Sequence, residues 1–174
     1  MSIIAETQRL ILRRFRDDDL QDLHEYLSDA QVVRFEPYPP MNLAEAREEL
    51  ARRTAAEDMI AVELKSTGKL IGNICLSPRE FFAWELGYVF NRRFWGLGCA
   101  KEACSALIEK TFDLGAHRIY AECDPLNPAS WRLLESLGFT REAHFHKNVY
   151  FWTDENGEPV WKDTFVYALL NESL

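Results

Sequence analysis

The sequence has no apolar run near the eighteen or so residues that a membrane-spanning helix needs, and its start, MSIIAETQRL, lacks a charged segment leading into an apolar one. Neither a membrane span nor a signal peptide is expected, so the expected location is the cytoplasm. Cys75, Cys99, Cys104 and Cys123 include no C-x-x-C pair, which disfavours a zinc knuckle and a thioredoxin-type site. They read as reduced thiols packed as small hydrophobes. Positive charge is short: 20 Lys and Arg face 28 Asp and Glu, and the net charge of −8 disfavours nucleic acid and favours cationic partners such as amines. No G-x-x-x-x-G-K-[ST] string occurs, which sets a P-loop aside, and no repeat, low-complexity tract or linker divides residues 1–174.

A single domain with a sizeable core is the expectation for a chain of this length. RLILRRF (Arg9 to Phe15) reads as a strand, followed by a helix capped at Asp17 or Asp18 with Leu20, Leu23 and Leu27 at helical spacing. Three prolines make FEPYPP a loop of the kind that lines sites. A second helix spans Leu43 to Ala55, with Glu45, Arg47, Glu48, Glu49, Arg52 and Arg53 on a mostly solvated face. From Met59 the period becomes strand-like, giving a hairpin around Thr67-Gly68 and a further strand, AWELGYVF (Ala83 to Phe90). Ala100, Ala103, Cys104, Leu107, Ile108 and Thr111 form one stripe of a helix that Gly115 stops, and HRIYAEC (His117 to Cys123) returns as a strand. In NPASWRLLESLGF, Asn127 caps, Pro128 takes the first helical position, Leu133, Leu134 and Leu137 pack, and Gly138 ends the helix. The last third reads as strands around an Asn156-Gly157 turn, and the whole as an α/β domain with a mixed sheet.

The turn RRFWGLGCAKEAC (Arg92 to Cys104) poses the functional question. A Rossmann fingerprint would need a third small residue where Lys101 stands, so a dinucleotide fits poorly. Backbone N–H groups of residues 95 to 100 open a helix, where unpaired donors and the positive dipole end favour a diphosphate, and Gly96 and Gly98 let it approach. Arg92 and Arg93 add charge. The alternative is a tight strand-to-helix turn whose glycines serve only packing.

RRFWGLGCAKEACSALIEKTF followed by HRIYAECDPLNPASWRLLESLGF resembles the GNAT superfamily of N-acetyltransferases, whose acetyl-CoA motif is R/Q-x-x-G-x-G/A. Arg93, Gly96, Gly98 and Ala100 match it. ETQRLILRRF, ELGYVFNRRFWGLG, Asn127-x-x-Ser130 and LESLGF resemble the branch that acetylates ribosomal-protein alanine, and the likeness covers nearly the whole chain. The resemblance implies an α/β (α+β) fold with a mostly antiparallel sheet splayed at its middle. It further implies that acetyl-CoA lies against the backbone of Tyr88, Val89 and Phe90, with its pyrophosphate on Arg93, Phe94, Trp95, Gly96, Leu97, Gly98, Cys99 and Ala100. The acceptor is then an amine, on a small molecule or a protein N-terminus, taken directly in a ternary complex; no metal is expected, and a homodimer is allowed.

A protonated amine cannot attack a thioester, so a base is required. Glu85, which interrupts an apolar strand just before the cofactor segment, is the first candidate; Glu122, Asp124 and Asp163 follow. The family tyrosine that serves the departing thiolate is replaced by Leu134, and the resemblance passes that role to Ser130, with Asn127 holding the pantetheine; capping explains both positions equally. An acyl-CoA-binding sensor without turnover is the alternative function. His144 and His146, without acid or cysteine spacing, make a weak metal site, and Cys123 is not needed as a nucleophile. Of the aromatics Phe81, Phe82, Trp84, Tyr150, Phe151, Trp152 and Trp161, some are expected to wall the acceptor site and most to fill the core. FEPYPP, the first two helices and the C-terminal hairpin are expected to set acceptor choice.

Overall fold

Eight strands lie in one open sheet in the computed structural model, which describes residues 3–172. Met1, Ser2, Ser173 and Leu174, the ends of the expected 1–174 domain, lie outside the described residues. The strand order is β1 (Ile3–Glu6), β2 (Leu10–Arg13), β3 (Met59–Leu64), β4 (Lys69–Pro78), β5 (Ala83–Phe90), β6 (Arg118–Cys123), β8 (Pro159–Leu170) and β7 (Thr140–Thr153). Neighbours are antiparallel except β5 and β6, the parallel pair whose connection carries the chain back across the sheet through a helix before the second strand begins. The crossover is α3 (Cys99–Asp113); α1 (Leu20–Leu27) and α2 (Leu43–Ala55) join β2 to β3, and α4 (Pro128–Ser136) joins β6 to β7.

Alternation along the strands feeds two cores. Ile60, Val62, Leu86 and Ile119 pack against Ala103, Cys104 and Leu107 of α3 and Leu134 of α4. On the other face Met59, Ala61, Leu70 and Val89 pack with Leu23, Tyr26 and Leu27 of α1 and Leu50 of α2. Glu85, one residue before Leu86, and Glu122, between Ala121 and Cys123, therefore belong to the α1/α2 face, while Tyr88 belongs to the α3/α4 face.

Helix ends follow their local chemistry. Asn42 accepts from the Ala44 and Glu45 N–H groups while Glu45 accepts in turn from the Asn42 N–H, a reciprocal cap that fixes the start of α2. Asn127 caps α4 with Pro128 at the first position, as expected. The first helix differs. Neither Asp17 nor Asp18 caps it; Asp19 takes that place, its Oδ2 accepting the Arg16 N–H at 2.8 Å at the start of a 3-10 turn that runs into α1.

Asp19 is drawn inward by Arg13. That guanidinium is 1% exposed, meets both Asp19 oxygens at 2.7 and 2.8 Å, and gives its Nε to Glu63 at 2.6 Å. Arg13→Ala removes the buried cation between two carboxylates and leaves them only the half-buried Arg16, 3.1 Å from Glu63 and 3.9 Å from Asp19. It should lower stability by about 3–5 kcal/mol, read as a lower urea midpoint at unchanged m. A second correction concerns α2: Arg53 is not on a solvated face but 3% exposed, donating to Asn73 Oδ1 at 2.7 Å and Glu49 Oε1 at 2.7 Å.

Candidate active site

β5 and β6 pair only over Ala83–Glu85 against Arg118–Tyr120. Beyond that β5 continues to Phe90 on β4, and β6 continues to Cys123 on β8, so the strands part and leave a wedge. The splay read from the resemblance is this wedge. In an antiparallel ladder peptide groups alternate between edges. The Asn91 N–H donates to Ile71 O at 2.9 Å and the Arg79 N–H to Ala83 O at 2.7 Å, which assigns odd-numbered β5 residues to β4 and even-numbered ones to the wedge. Tyr88 thus turns its N–H and C=O into the open edge. Of the other two residues expected there, Val89 turns its C=O toward β4 beside Gly72, while Phe90, whose O accepts the Trp95 indole N–H at 2.8 Å, keeps its N–H on the open edge, and both border the cavity.

The glycine turn sits at the head of the wedge. Gly96 and Gly98 take φ of +72° and +78°, and a Cβ on Gly96 would meet open space, so the turn needs glycine for its left-handed backbone. Gly98 is the N-cap of α3, and the first helical bond runs from Glu102 N–H to Gly98 O. Among the described residues, none accepts from the N–H groups of Gly96, Leu97, Gly98, Cys99 or Ala100. Unpaired donors at the positive end of a fifteen-residue helix form an anion cradle.

Arg9 braces this cradle, a role sequence reasoning missed. Its Nη1 donates to Leu97 O at 2.9 Å and its Nε to Glu102 Oε2 at 2.7 Å, while Thr7 Oγ1 and Arg9 N–H meet the other Glu102 oxygen at 2.5 and 2.9 Å. In the sequence Arg9 reads as the start of a strand and as part of a family likeness, without a role at the turn. Arg92 and Arg93, expected to add charge near the turn, are paired with Asp29 at 2.8 Å and Glu25 at 3.4 Å.

A cavity of about 1100 Å³ runs from the cradle through the wedge to the α1/α2 side. Every residue expected at the cofactor borders it except Arg93 and Leu97. On its α4 side the Tyr88 hydroxyl donates to Ser130 O at 3.1 Å and shares a hydrogen bond with Ser130 Oγ at 3.0 Å. Burial raises the Tyr88 phenol, so it stays protonated. Burial also pushes the Cys123 thiol up to about 11, which leaves it inert as a nucleophile. Leu134 is 1% exposed and lies in the core, outside the cavity lining. Asn127 Oδ1 accepts the Ser130 N–H at 3.3 Å and so caps the helix as well as bordering the cavity.

The carboxylates separate by their partners. Glu85 Oε2 is held by Arg79 at 2.6 and 2.9 Å and faces the Tyr120 hydroxyl at 3.3 Å. Asp124 is ion-paired to Lys162 at 2.6 Å. Asp163 is pulled down to about 2, first by the Lys147 N–H and then by His144, so it takes no proton near neutrality. Glu122 differs: desolvation first, and then the negative charge of Glu85, raise its pKa above the ordinary carboxylate value. A carboxylate whose proton affinity is raised inside a cavity is suited to removing a proton.

At the far end Phe35, Glu36 and Pro37 of FEPYPP face Asn148, Val149, Phe151 and Lys162 of the β7–β8 hairpin. The Lys162 ammonium lies over both the Phe35 and Phe151 rings, at 5.5 and 5.3 Å. No residue of α1 or α2 lines the cavity; they support the loop instead. Of the aromatics expected mostly in the core, Phe81 and Phe82 are 86% and 77% exposed, Tyr150, Trp152 and Trp161 are also exposed, and Phe151 alone of the set borders the cavity.

A helix-end anion cradle feeding a wedge between two parting parallel strands is suited to a phosphate-bearing ligand whose tail enters the sheet. Residues 9–140 match the family model described as acetyltransferase (GNAT) domain, so the chain belongs to the GNAT acetyltransferase family and is an N-acetyltransferase. It is 32% identical over 171 residues to the uncharacterized N-acetyltransferase YnaD of Bacillus subtilis (strain 168), covering 95% of this chain and 96% of that one. A GNAT-family acetyltransferase from Bacillus anthracis superposes with a TM-score of 0.86 at 32% identity, covering 99% of each chain. The ribosomal-protein-S5-alanine acetyltransferase of Vibrio fischeri has the same fold, with a TM-score of 0.77 at 21% identity over 97% of this chain and 96% of that one; at that distance the likeness is one of fold. Among the described residues no helix is long and apolar enough to cross a membrane.

Proposed function

We propose that the protein transfers an acetyl group from acetyl-CoA to a primary amine, on a small molecule or at a protein N-terminus, directly within a ternary complex. The observation that carries this reading is a single cavity crossing the sheet at the wedge, with the anion cradle at its head, the Tyr88–Ser130 hydroxyl pair on one face and Glu122 on the other. The pyrophosphate sits on the Gly96–Ala100 amides. The pantetheine arm adds beside β5 as an extra strand, pairing with the Tyr88 peptide groups, and this delivers the thioester to the middle of the sheet.

The amine enters past Phe35 and Phe151, and Glu122 accepts its proton, directly or through one water, as nitrogen attacks the thioester carbon. The tetrahedral intermediate collapses with cleavage of the carbon–sulfur bond. The departing thiolate then takes a hydrogen bond from the Ser130 hydroxyl, which Tyr88 orients, and is protonated from solvent. The inert Cys123 supports a route without an acyl-enzyme.

Calorimetry should show one CoA bound per chain, and a thiol-release assay should show acetyl-CoA consumed only when a primary amine is added. A tertiary amine of similar shape should give no turnover, since its product cannot lose a proton. CoA binding without release on a broad panel of primary amines would remove the transfer reading.

A further inference from the structure

His144 and His146 lie two residues apart on β7, where alternation puts them on one face, and both rings turn toward the paired strand β8. They converge on one atom. Oδ2 of Asp163 is 2.8 Å from His144 Nε2 and 3.0 Å from His146 Nδ1, and the ring centroids are 4.0 Å apart. The other carboxylate oxygen, Oδ1, is taken by the Lys147 N–H at 2.9 Å. That bond exists because Lys147 adopts a left-handed φ of +48° where the register shifts between Phe145 and Val149. The backbone therefore orients Asp163 and leaves Oδ2 to the two imidazoles, while Phe165 fixes the His144 ring edge-on at 4.8 Å.

We propose that His144, His146 and Asp163 bind a divalent transition-metal ion of the zinc type. Three potential ligand atoms within 4.8 Å of one another, from two imidazoles and one carboxylate, form a donor set for zinc, cobalt or nickel; magnesium and calcium want oxygen alone. Tetrahedral arms of roughly 2.0–2.1 Å would set the donor atoms about 3.4 Å apart. From 2.8 and 3.0 Å the two carboxylate–imidazole gaps would open by roughly half an ångström, and the imidazole nitrogens, within 4.8 Å of each other, would settle at the same spacing. Outer orientation is already in place, since the Lys147 N–H holds the carboxylate as hydrogen-bonded partners hold ligands in metal sites. The His146 side chain is 74% exposed, so an ion has a path in and a fourth position stays open. None of the three residues belongs to β5, α3 or α4, so the site is separate from the cradle, although Asp163 also borders the acceptor end of the cavity. Metal uptake displaces the ring protons now shared with Asp163, so affinity should fall as pH drops.

The test uses untagged protein stripped with a chelator and then titrated with zinc chloride in a calorimeter at pH 7.5. The expected result is one zinc per chain, and cobalt chloride in its place should give the visible bands of a low-coordinate ion. Asp163→Asn keeps the side-chain shape and should weaken zinc by about tenfold or more. The double variant His144→Ala, His146→Ala should abolish it and lose the rise in melting temperature that zinc gives the parent. For a readout independent of any variant, ring-nitrogen NMR of the parent protein should show two of the four histidines shifting on zinc addition. No binding heat in the parent, undiminished binding in the double variant, or shifts confined to His24 and His117 would each overturn the proposal.

Discussion

Gly98→Asp is expected to abolish measurable CoA binding, raising Kd by about a hundredfold or more, while leaving the protein folded. Two effects add. The position has φ of +78°, which costs a non-glycine residue about 1–2 kcal/mol, although aspartate tolerates it better than most. The larger effect is charge: a carboxylate about 4 Å from a bound diphosphate meets a repulsion of roughly 4 kcal/mol per charge pair at an effective dielectric constant near 20. Arg9 Nη2, 3.4 Å from where the new Cβ would lie, would then pair with the intruder and surrender part of its hold on the turn. Gly98→Asn separates backbone from charge, since asparagine accepts left-handed φ and carries none; it should lose about tenfold at most. Calorimetry with CoA reads both variants, and a ligand-free thermal melt checks the fold. Full affinity in Gly98→Asp would remove the cradle from the account.

The cradle was legible in sequence because it depends on local events: a strand, two glycines one residue apart, and a helix start, all within a dozen residues. For the same reason α2 and β5 were read to the residue, as Leu43–Ala55 and Ala83–Phe90. What sequence could not carry was the identity of partners across the fold. Alternation puts Glu85 and Glu122 on one face, yet it does not say that Arg79, across the β4–β5 turn, pairs with Glu85 and not with Glu122. Arg53 falls among solvated helix residues by spacing, but Asn73 and Tyr26 on other elements draw it inside. Asp163 reaches the two histidines only through a register shift in β7, which no pattern of apolar residues announces. The short edge strand β1 also passed unread, since four half-exposed residues leave little periodicity to detect.

Glu122→Gln should lower kcat by about 10²–10³-fold with the KM for acetyl-CoA unchanged, because the amide keeps the shape but cannot take a proton. The pH profile gives the sharper reading. Glu122 acts as its anion, and burial and Glu85 raise its pKa above the ordinary 4.5, so the wild-type rate should fall as pH drops through that raised value. The glutamine variant should lose that limb. Stability moves in the opposite sense: a carboxyl with a raised folded pKa favours the folded state while protonated, and that contribution is lost as pH rises through the folded value. The variant should therefore melt no lower than wild type at pH 8. Glu85→Gln removes the neighbouring negative charge and should shift the acidic limb of the wild-type profile to lower pH while kcat stays within a few-fold. If Glu85→Gln is the variant that loses turnover and Glu122→Gln keeps it, the proton leaves the amine through the Arg79-bound carboxylate, and the roles assigned to the two strands must be exchanged.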